Sequence, residues 1–155
     1  MKWCASIVCS RIFVVNIFDG KSAKPYTEND ITNPQSIYGN SKLKGEMAIS
    51  TSGCSFLIIR TAWVFSEFGS NFLKTMIRLA EEHDSLKIVG DQIGSPTYAR
   101  DISKAILFTL PFLDNNQESG IFNYAGNHPC SWAEFAIQIF YEARRMGNIK
   151  DIPQV

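Results

Sequence analysis

A chain of 155 residues with 45% hydrophobic and 19% charged residues has the size and composition of one globular domain. Its fifteen basic and fifteen acidic residues cancel, which argues against a nucleic-acid-binding or membrane-binding surface. The apolar stretches are too short to span a bilayer, and the N-terminus lacks a signal-peptide pattern. We therefore expect a single cytoplasmic domain over residues 1–155.

The first third of the chain is predicted to form two buried strands around one helix. Residues 11–18 are β-branched and aromatic, and residues 55–60 carry a second apolar run, so both favour buried strands. The polar segment 21–35 contains two prolines and predicts a loop. Within it Asn33, followed by proline, predicts a helix N-terminus, and that helix should run to about Ser50.

The rest of the chain is predicted to contain three helices and two short strands joined by loops. In chain order these are a loop at 61–69, a helix at 71–82, a strand at 86–89, a loop at 90–100, a helix capped by Asp101, a strand at 121–124, and a helix that starts with a Ser131–Glu134 capping box and ends at Gly147. The regular alternation of strands and helices predicts an α/β fold, with a mostly parallel, Rossmann-like sheet flanked by helices.

The cysteines give no indication of a metal site. Cys4, Cys9, Cys54 and Cys130 form no CxxC pair, and the chain has only two histidines. We therefore predict no metal-ligand cluster, and thiols that are buried or half-buried in a reducing cytoplasm.

The most informative short motif is Tyr38-Gly-Asn-Ser-Lys42, near the start of the first predicted helix. Residues four apart lie on one face of a helix, so the phenol and the ammonium should be neighbours. A tyrosine phenol is a poor acid at neutral pH, and a nearby ammonium group stabilises the phenolate, which makes the phenol a usable proton donor to a developing alkoxide. The spacing alone also fits a surface pair on an exposed helix. The position of the pair after a buried strand and a polar loop favours a reductase.

The glycines do not form the turn that such a reductase uses to hold its dinucleotide. That turn needs closely spaced glycines between the first strand and the following helix. Among the ten glycines the nearest pair is Gly90 and Gly94, which does not open a predicted helix. The pyrophosphate cradle is therefore absent from this sequence.

Three further features have both a functional and a structural interpretation. Trp63 directly follows a buried strand, where α/β proteins place ligand contacts, but it equally fits a core aromatic. Asn71 precedes a helix and is readily explained as its cap. The polar loop 91–97 fits either the wall of a ligand cleft or a plain turn.

Several motifs, taken in order along the chain, together resemble one family. They are Ile17-Phe-Asp-Gly20, Pro25-Tyr-x-Glu28-x-Asp30, Tyr38-Gly-x-Ser-Lys42-Leu-x-Gly45-Glu46, Arg60-Thr-Ala-Trp63-Val-Phe65, Asn71-Phe-x-Lys74-Thr-Met76-x-Arg78-Leu-Ala80 and Val89-x-Asp91-Gln92-x-Gly94-x-Pro96-Thr97. Over about residues 11–146 the ensemble closely resembles dTDP-4-dehydrorhamnose reductase, an extended short-chain dehydrogenase/reductase.

The resemblance implies that NADPH or NADH reduces the 4-keto group of dTDP-4-dehydro-L-rhamnose to give dTDP-L-rhamnose. It implies that Tyr38 donates the proton, and that Lys42 stabilises the phenolate and holds the nicotinamide ribose. It places Trp63 on the sugar side of the pocket, and we expect Asn71 to contact the substrate as well. It also implies a homodimer as one arrangement, with Mg²⁺ as an associated ion.

The chain departs from the family pattern in three places. The glycine-rich N-terminal half has no counterpart, and neither does the C-terminal segment beyond Val155, so the resemblance implies a fragment that holds part of the smaller substrate-binding lobe. Where family members read Ser-Thr-Asp-Tyr, this chain reads Phe13-Val-Val-Asn16. We expect little or no activity from the isolated chain, because backbone donors around the pyrophosphate are missing.

Two alternatives stay open at this point. The regulatory subunit of methionine adenosyltransferase resembles the same reductases, so this chain fits a non-catalytic binding module as well. A truncated, poorly stable domain with no present role is the other alternative. The sequence does not decide between NADPH and NADH, and it does not give the oligomeric state.

Overall fold

The computed structural model describes residues 9–14, 17–22, 24–114 and 119–155. Its elements in chain order are β1 (Cys9–Val14), α1 (Ile37–Ser50), β2 (Phe56–Thr61), β3 (Val64–Phe65), α2 (Phe72–Glu82), β4 (Ile93–Gly94), β5 (Thr97–Tyr98), α3 (Ala99–Asp114), β6 (Gly120–Asn123), β7 (Cys130–Ser131) and α4 (Trp132–Arg145). The chain divides into two compact units. Unit 1 contains residues 1–62 and 102–124, and unit 2 contains residues 63–101 and 125–155. A single domain over residues 1–155 stays a prediction.

Unit 1 is built on a three-stranded parallel sheet in the order β1-β2-β6. The central strand β2 is buried along almost its whole length, as its run of apolar residues predicts. Leu57 and Ile59 of this strand pack against Ile106 and Leu110 of α3. The predicted parallel sheet with helical crossovers is confirmed for this unit.

Unit 2 is built on two helices that share one apolar core. The buried members of that core are Met76 on α2, Ala136, Ile139, Phe140 and Ala143 on α4, and Ile149 after α4. Two short strand pairs complete the unit: β3 runs parallel to β5, and β4 runs antiparallel to β7.

Both helices of unit 2 begin and end where the sequence predicts. Asn71 caps α2, because its side-chain oxygen accepts from the Lys74 N–H at 3.2 Å. Ser131 and Glu134 form the expected capping box at the start of α4. Gly147, at φ +77°, ends α4 with the hydrogen bonds of a left-handed C-terminal cap.

The first predicted helix begins later than expected. Its cap is Ser36, whose hydroxyl accepts from the Gly39 N–H at 3.0 Å, and not Asn33. Asn33 instead closes the preceding loop, since its backbone N–H donates to the Ile17 carbonyl at 2.8 Å.

The strand predicted over residues 11–18 is shorter at its C-terminal end than expected, because β1 ends at Val14 and Ile17 already lies in the loop.

Four predictions between β2 and the first turn of α3 were wrong. Residues 86–89 form no strand: Ser85 makes one isolated bridge with Gln154, and the Val89 carbonyl accepts from Ala133 N–H, so no ladder forms. The loops predicted at 61–69 and 90–100 contain the short strands β3, β4 and β5. Asp101 does not cap α3, because the helix begins at Ala99, directly after β5; Asp101 lies in its first turn, where a carboxylate interacts favourably with the helix dipole.

Some predictions fall outside the described part of the chain. They concern Cys4, Val15 and Asn16, together with the side chains of Cys9, Phe13 and Val14. Within the described residues, every helix is too short or too polar to cross a membrane.

Candidate functional site

Tyr38 and Lys42 lie on the same face of α1, as their spacing predicts. The Lys42 Nζ sits 5.0 Å from the centroid of the Tyr38 ring, within the range of a cation–π contact. Tyr38 as a whole is 51% exposed. The structure therefore brings the two predicted catalytic groups together, and their catalytic role stays a prediction.

A buried ion pair fixes the helix that carries these groups. Glu46, one helical turn after Lys42, is 2% exposed and Arg60 on β2 is 7% exposed. The guanidinium binds both carboxylate oxygens, with Arg60 Nη2 at 2.8 Å from Oε2 and Arg60 Nε at 3.1 Å from Oε1. Such two-point geometry holds α1 at a fixed height and rotation against β2.

The same arginine ties down the loop before α1. Its Nη1 donates to the Glu28 carbonyl at 3.3 Å, and the Glu28 carboxylate accepts from the Asn123 N–H at 2.7 Å at the end of β6. The Asn123 side chain donates in turn to the Tyr26 carbonyl at 3.0 Å. The Asn123 N–H holds the pKa of Glu28 below its ordinary value, and the charge of Arg60 adds to this effect.

An aromatic pair orders the beginning of that loop. The rings of Phe18 and Tyr26 stack with centroids 4.3 Å apart, and the Arg60 guanidinium lies 5.6 Å from the Phe18 centroid. The Tyr26 hydroxyl donates to Asp19 at 2.8 Å, which is the main cause of a lowered pKa at Asp19. The Tyr26 hydroxyl therefore stabilises the Asp19-Gly20 turn.

Two buried polar atoms in unit 1 lie at the carboxyl ends of parallel strands. Among the described residues no hydrogen-bond partner lies within reach of Thr61 Oγ1 on β2 or of Asn123 Oδ1 on β6. The carboxyl edge of a parallel sheet is where α/β proteins bind ligands. These atoms offer a hydroxyl and an acceptor at that edge.

Trp63, in unit 2, adopts a left-handed backbone conformation with φ +51°. A bulky residue there costs on the order of 1–3 kcal/mol, and such strain persists only where the surroundings determine it. The indole stacks on Trp132 of α4, with centroids 3.5 Å apart and planes 14° apart. It also covers Gly94, where an added Cβ would lie 2.4 Å from Trp63 Cε2. Trp63 as a whole is half-buried.

Asn71 uses its side chain for structure. Besides capping α2, its amide donates to the carbonyls of Ser66 at 2.7 Å and Phe68 at 3.3 Å. The following Phe72 packs on Trp132 with centroids 4.5 Å apart. The structure therefore links Trp63 and Asn71 through one aromatic cluster in unit 2, and their contacts with substrate stay predictions.

Unit 2 also contains a cavity of about 720 Å³. Its walls are aromatic, with polar groups from the loop after β6 and from α4; the lining residues are Phe65, Pro96, Tyr98, Asp101, Gly126, Asn127, His128, Pro129, Cys130, Glu134, Phe135 and Gln138. The lining has two carboxylates and no lysine or arginine, so this cavity does not suit a diphosphate. Of the loop 91–97, Pro96 is the part that lines it.

Around the cavity, hydrogen bonds and burial raise the pKa values of Tyr98 and Cys130. The Tyr98 hydroxyl donates to the Glu67 carboxylate at 2.9 Å, which raises the pKa of Tyr98. Burial raises the pKa of the Cys130 thiol, and the charge of Glu134 adds to it.

Sequence reasoning missed the residues that support the site. The sequence pattern gives Glu46 and Arg60 no role beyond their motifs, and it gives Trp132 no role at the site. A charged residue inside an apolar strand was the available signal for Arg60, since buried charges require partners. In the described part of the chain no group of three or more histidine, cysteine, aspartate or glutamate residues is placed to hold a metal ion. The association with Mg²⁺ stays an implication of the resemblance.

Comparison with known proteins decides the family. The model of the RmlD substrate binding domain matches residues 9–154. The chain belongs to this family. It is 43% identical to a dTDP-4-dehydrorhamnose reductase of Sinorhizobium fredii over 127 residues, which is 80% of this chain and 43% of the relative. It is 40% identical to the enzyme of that name from Aggregatibacter actinomycetemcomitans over 141 residues, covering 90% of this chain and 48% of the relative.

Solved structures agree with this membership of the RmlD substrate-binding family. A dTDP-4-dehydrorhamnose reductase from Clostridium acetobutylicum matches with 39% identity and a TM-score of 0.80, over 93% of this chain and 49% of the relative. The enzyme from Bacillus anthracis, solved in complex with NADP, matches with 35% identity and a TM-score of 0.81, over 94% and 49%. The chain thus spans about half the length of the relatives it matches. The resemblance and the Rossmann-like α/β fold class are confirmed.

Proposed function

We propose that this chain supplies the proton-donating and sugar-binding residues of an NAD(P)H-dependent dTDP-4-dehydrorhamnose reductase in the cytoplasm. The observation that carries the proposal is the placement of the Lys42 ammonium 5.0 Å from the Tyr38 ring, in a chain of the RmlD substrate-binding family. Homodimer formation stays a prediction.

The proposed chemistry assigns one role to each group. When bound, the dinucleotide would supply a hydride to the C4 carbonyl carbon. The Tyr38 hydroxyl gives its proton to the carbonyl oxygen, and Lys42 stabilises the phenolate that remains. These two side chains would also contact the nicotinamide ribose. The chain has no glycine-rich turn for the pyrophosphate, so we expect weak dinucleotide affinity from the chain alone.

A chimera tests these roles in a complete enzyme. In it, this chain replaces the matching half of the Clostridium acetobutylicum relative, and NADPH consumption is followed with dTDP-4-dehydro-L-rhamnose. We expect turnover, and a loss of about 10²–10⁴-fold in kcat with Tyr38→Phe. Tyr141→Phe, at an exposed tyrosine on α4, is the matched control and should leave kcat unchanged.

The same chimera distinguishes the non-catalytic alternative. A chimera that binds NADPH and substrate but does not turn over would favour a binding module. Full activity in Tyr38→Phe would exclude Tyr38 as the proton donor.

A further inference from the structure

We propose that Trp132 is a positioning residue, which holds the indole of Trp63 in the orientation needed at the sugar end of the substrate site. This inference rests on the proposed function for its ligand, but the side-chain relationship itself lies wholly within unit 2.

The first observation is that the Trp63 backbone does not favour its own conformation. At φ +51° the residue occupies a region that bulky side chains rarely adopt. Contacts elsewhere must therefore hold it: its carbonyl accepts from the Thr97 N–H at 3.1 Å, and its indole stacks nearly parallel on Trp132, with centroids 3.5 Å apart.

The second observation is that Trp132 is itself firmly placed. It is the first residue of α4, directly after the N-cap Ser131 and inside the capping box that Ser131 forms with Glu134. Phe72, the first residue of α2, packs on it with centroids 4.5 Å apart. Two helix starts thus fix the ring on which Trp63 rests.

The third observation is that the indole of Trp63 packs directly over Gly94, which has no side chain to obstruct it. Any side chain at that position would meet the indole, with a Cβ 2.4 Å from Cε2. The stack and the glycine together determine the orientation of the indole. A ligand that contacts the indole therefore depends on Trp132 without touching it.

The experiment uses the whole chain labelled with 5-fluorotryptophan, with fluorine resonances assigned by single Trp→Phe substitutions. The variants are Trp132→Leu, which removes the stack, and Trp132→Phe, which retains an aromatic face. Tyr141→Leu, at an exposed aromatic residue on the same helix, is the control. Calorimetry of each variant with dTDP-L-rhamnose and with dTDP measures sugar-dependent and nucleotide-dependent affinity.

We expect the Trp63 resonance to shift and broaden in Trp132→Leu, and to stay near its original position in Trp132→Phe and Tyr141→Leu. We expect Trp132→Leu to weaken dTDP-L-rhamnose binding roughly five- to tenfold while dTDP binding changes little. An unchanged Trp63 resonance in Trp132→Leu would overturn the inference, and so would an equal loss of both affinities. If the wild-type chain binds neither ligand, the proposed function fails, while the fluorine spectra still decide whether Trp132 positions Trp63.

Discussion

Glu46 and Arg60 join α1 to β2 through a buried ion pair in which both carboxylate oxygens accept from the guanidinium. This ion pair holds α1, the helix that carries Tyr38 and Lys42, against the sheet. The face of α1 that packs on the sheet is not a continuous apolar stripe. Gly39 and Glu46 are the buried residues that this helix contributes.

Removing one member of this pair should be costly. We expect Arg60→Ala to lower the free energy of unfolding by about 3–5 kcal/mol, because Glu46 is then buried without a partner. Urea unfolding followed by circular dichroism measures this. The matched control is Arg78→Ala, at the exposed pair with Glu82, where we expect a change within about 0.5 kcal/mol. A loss at Arg60 no larger than the loss at Arg78 would contradict the prediction.

Gly94 should not tolerate a methyl group. Gly94→Ala places a Cβ 2.4 Å from the indole of Trp63, so the ring must move, and we expect a loss of about 1–3 kcal/mol. Thermal unfolding and near-ultraviolet circular dichroism, which reports the tryptophan stack, check this. Gly90→Ala is the control, since its Cβ would have its nearest neighbour 4.0 Å away.

Glu28 should make stability depend on acid pH. Its folded-state pKa lies below the ordinary value of 4.5, because the carboxylate accepts from the Asn123 N–H. The contribution is therefore fully present above about pH 4.5 and is lost as the pH falls through the lower folded-state value. We expect Glu28→Gln to flatten this part of the stability profile, measured by urea unfolding at a series of pH values. A substitution at the exposed Glu81 on α2 provides the comparison, and equal profiles for both variants would refute the assignment.

The Cys130 thiol should react slowly in the folded chain. Burial raises its pKa, so fewer thiolates are present at neutral pH, and the thiolate is the reactive form. We expect alkylation by iodoacetamide, followed by mass spectrometry of the peptide, to accelerate when urea unfolds the chain. Glu134→Gln removes the smaller electrostatic contribution and should raise the rate slightly. A rate that is the same in folded and unfolded chains would rule out the protection.

The sequence predicted best where a single segment determines its own structure. Helices α2 and α4 have regular apolar periods and side-chain caps, and β2 is a short apolar run, so local pattern and tertiary environment agree. The run at 86–89 looks equally apolar, but a strand also needs a neighbouring strand. Here the neighbouring backbone groups come from Gln154, which makes two hydrogen bonds on either side of Ser85, and from Ala133, which makes one, so no ladder forms.

The sequence predicts the proposed reacting side chains of the site, but not the residues that hold its side chains in place. The neighbourhood of Tyr38 and Lys42 follows from helical spacing alone. The contact of Trp63 with Trp132 joins residues far apart in the chain, and periodicity carries no information about such pairs. The positive φ of Trp63 has no signal in its own residue type, because this conformation is imposed by what surrounds it.

The division of the chain into two interleaved units limits what deletion mapping can reveal. The shortest uninterrupted stretch that holds all of unit 1 spans residues 1–124 and carries residues 63–101 of unit 2 with it. Likewise, any stretch that holds all of unit 2 carries residues 102–124 of unit 1. A property lost on shortening the chain therefore cannot be attributed to one unit, and isolating either unit requires splicing its two segments together.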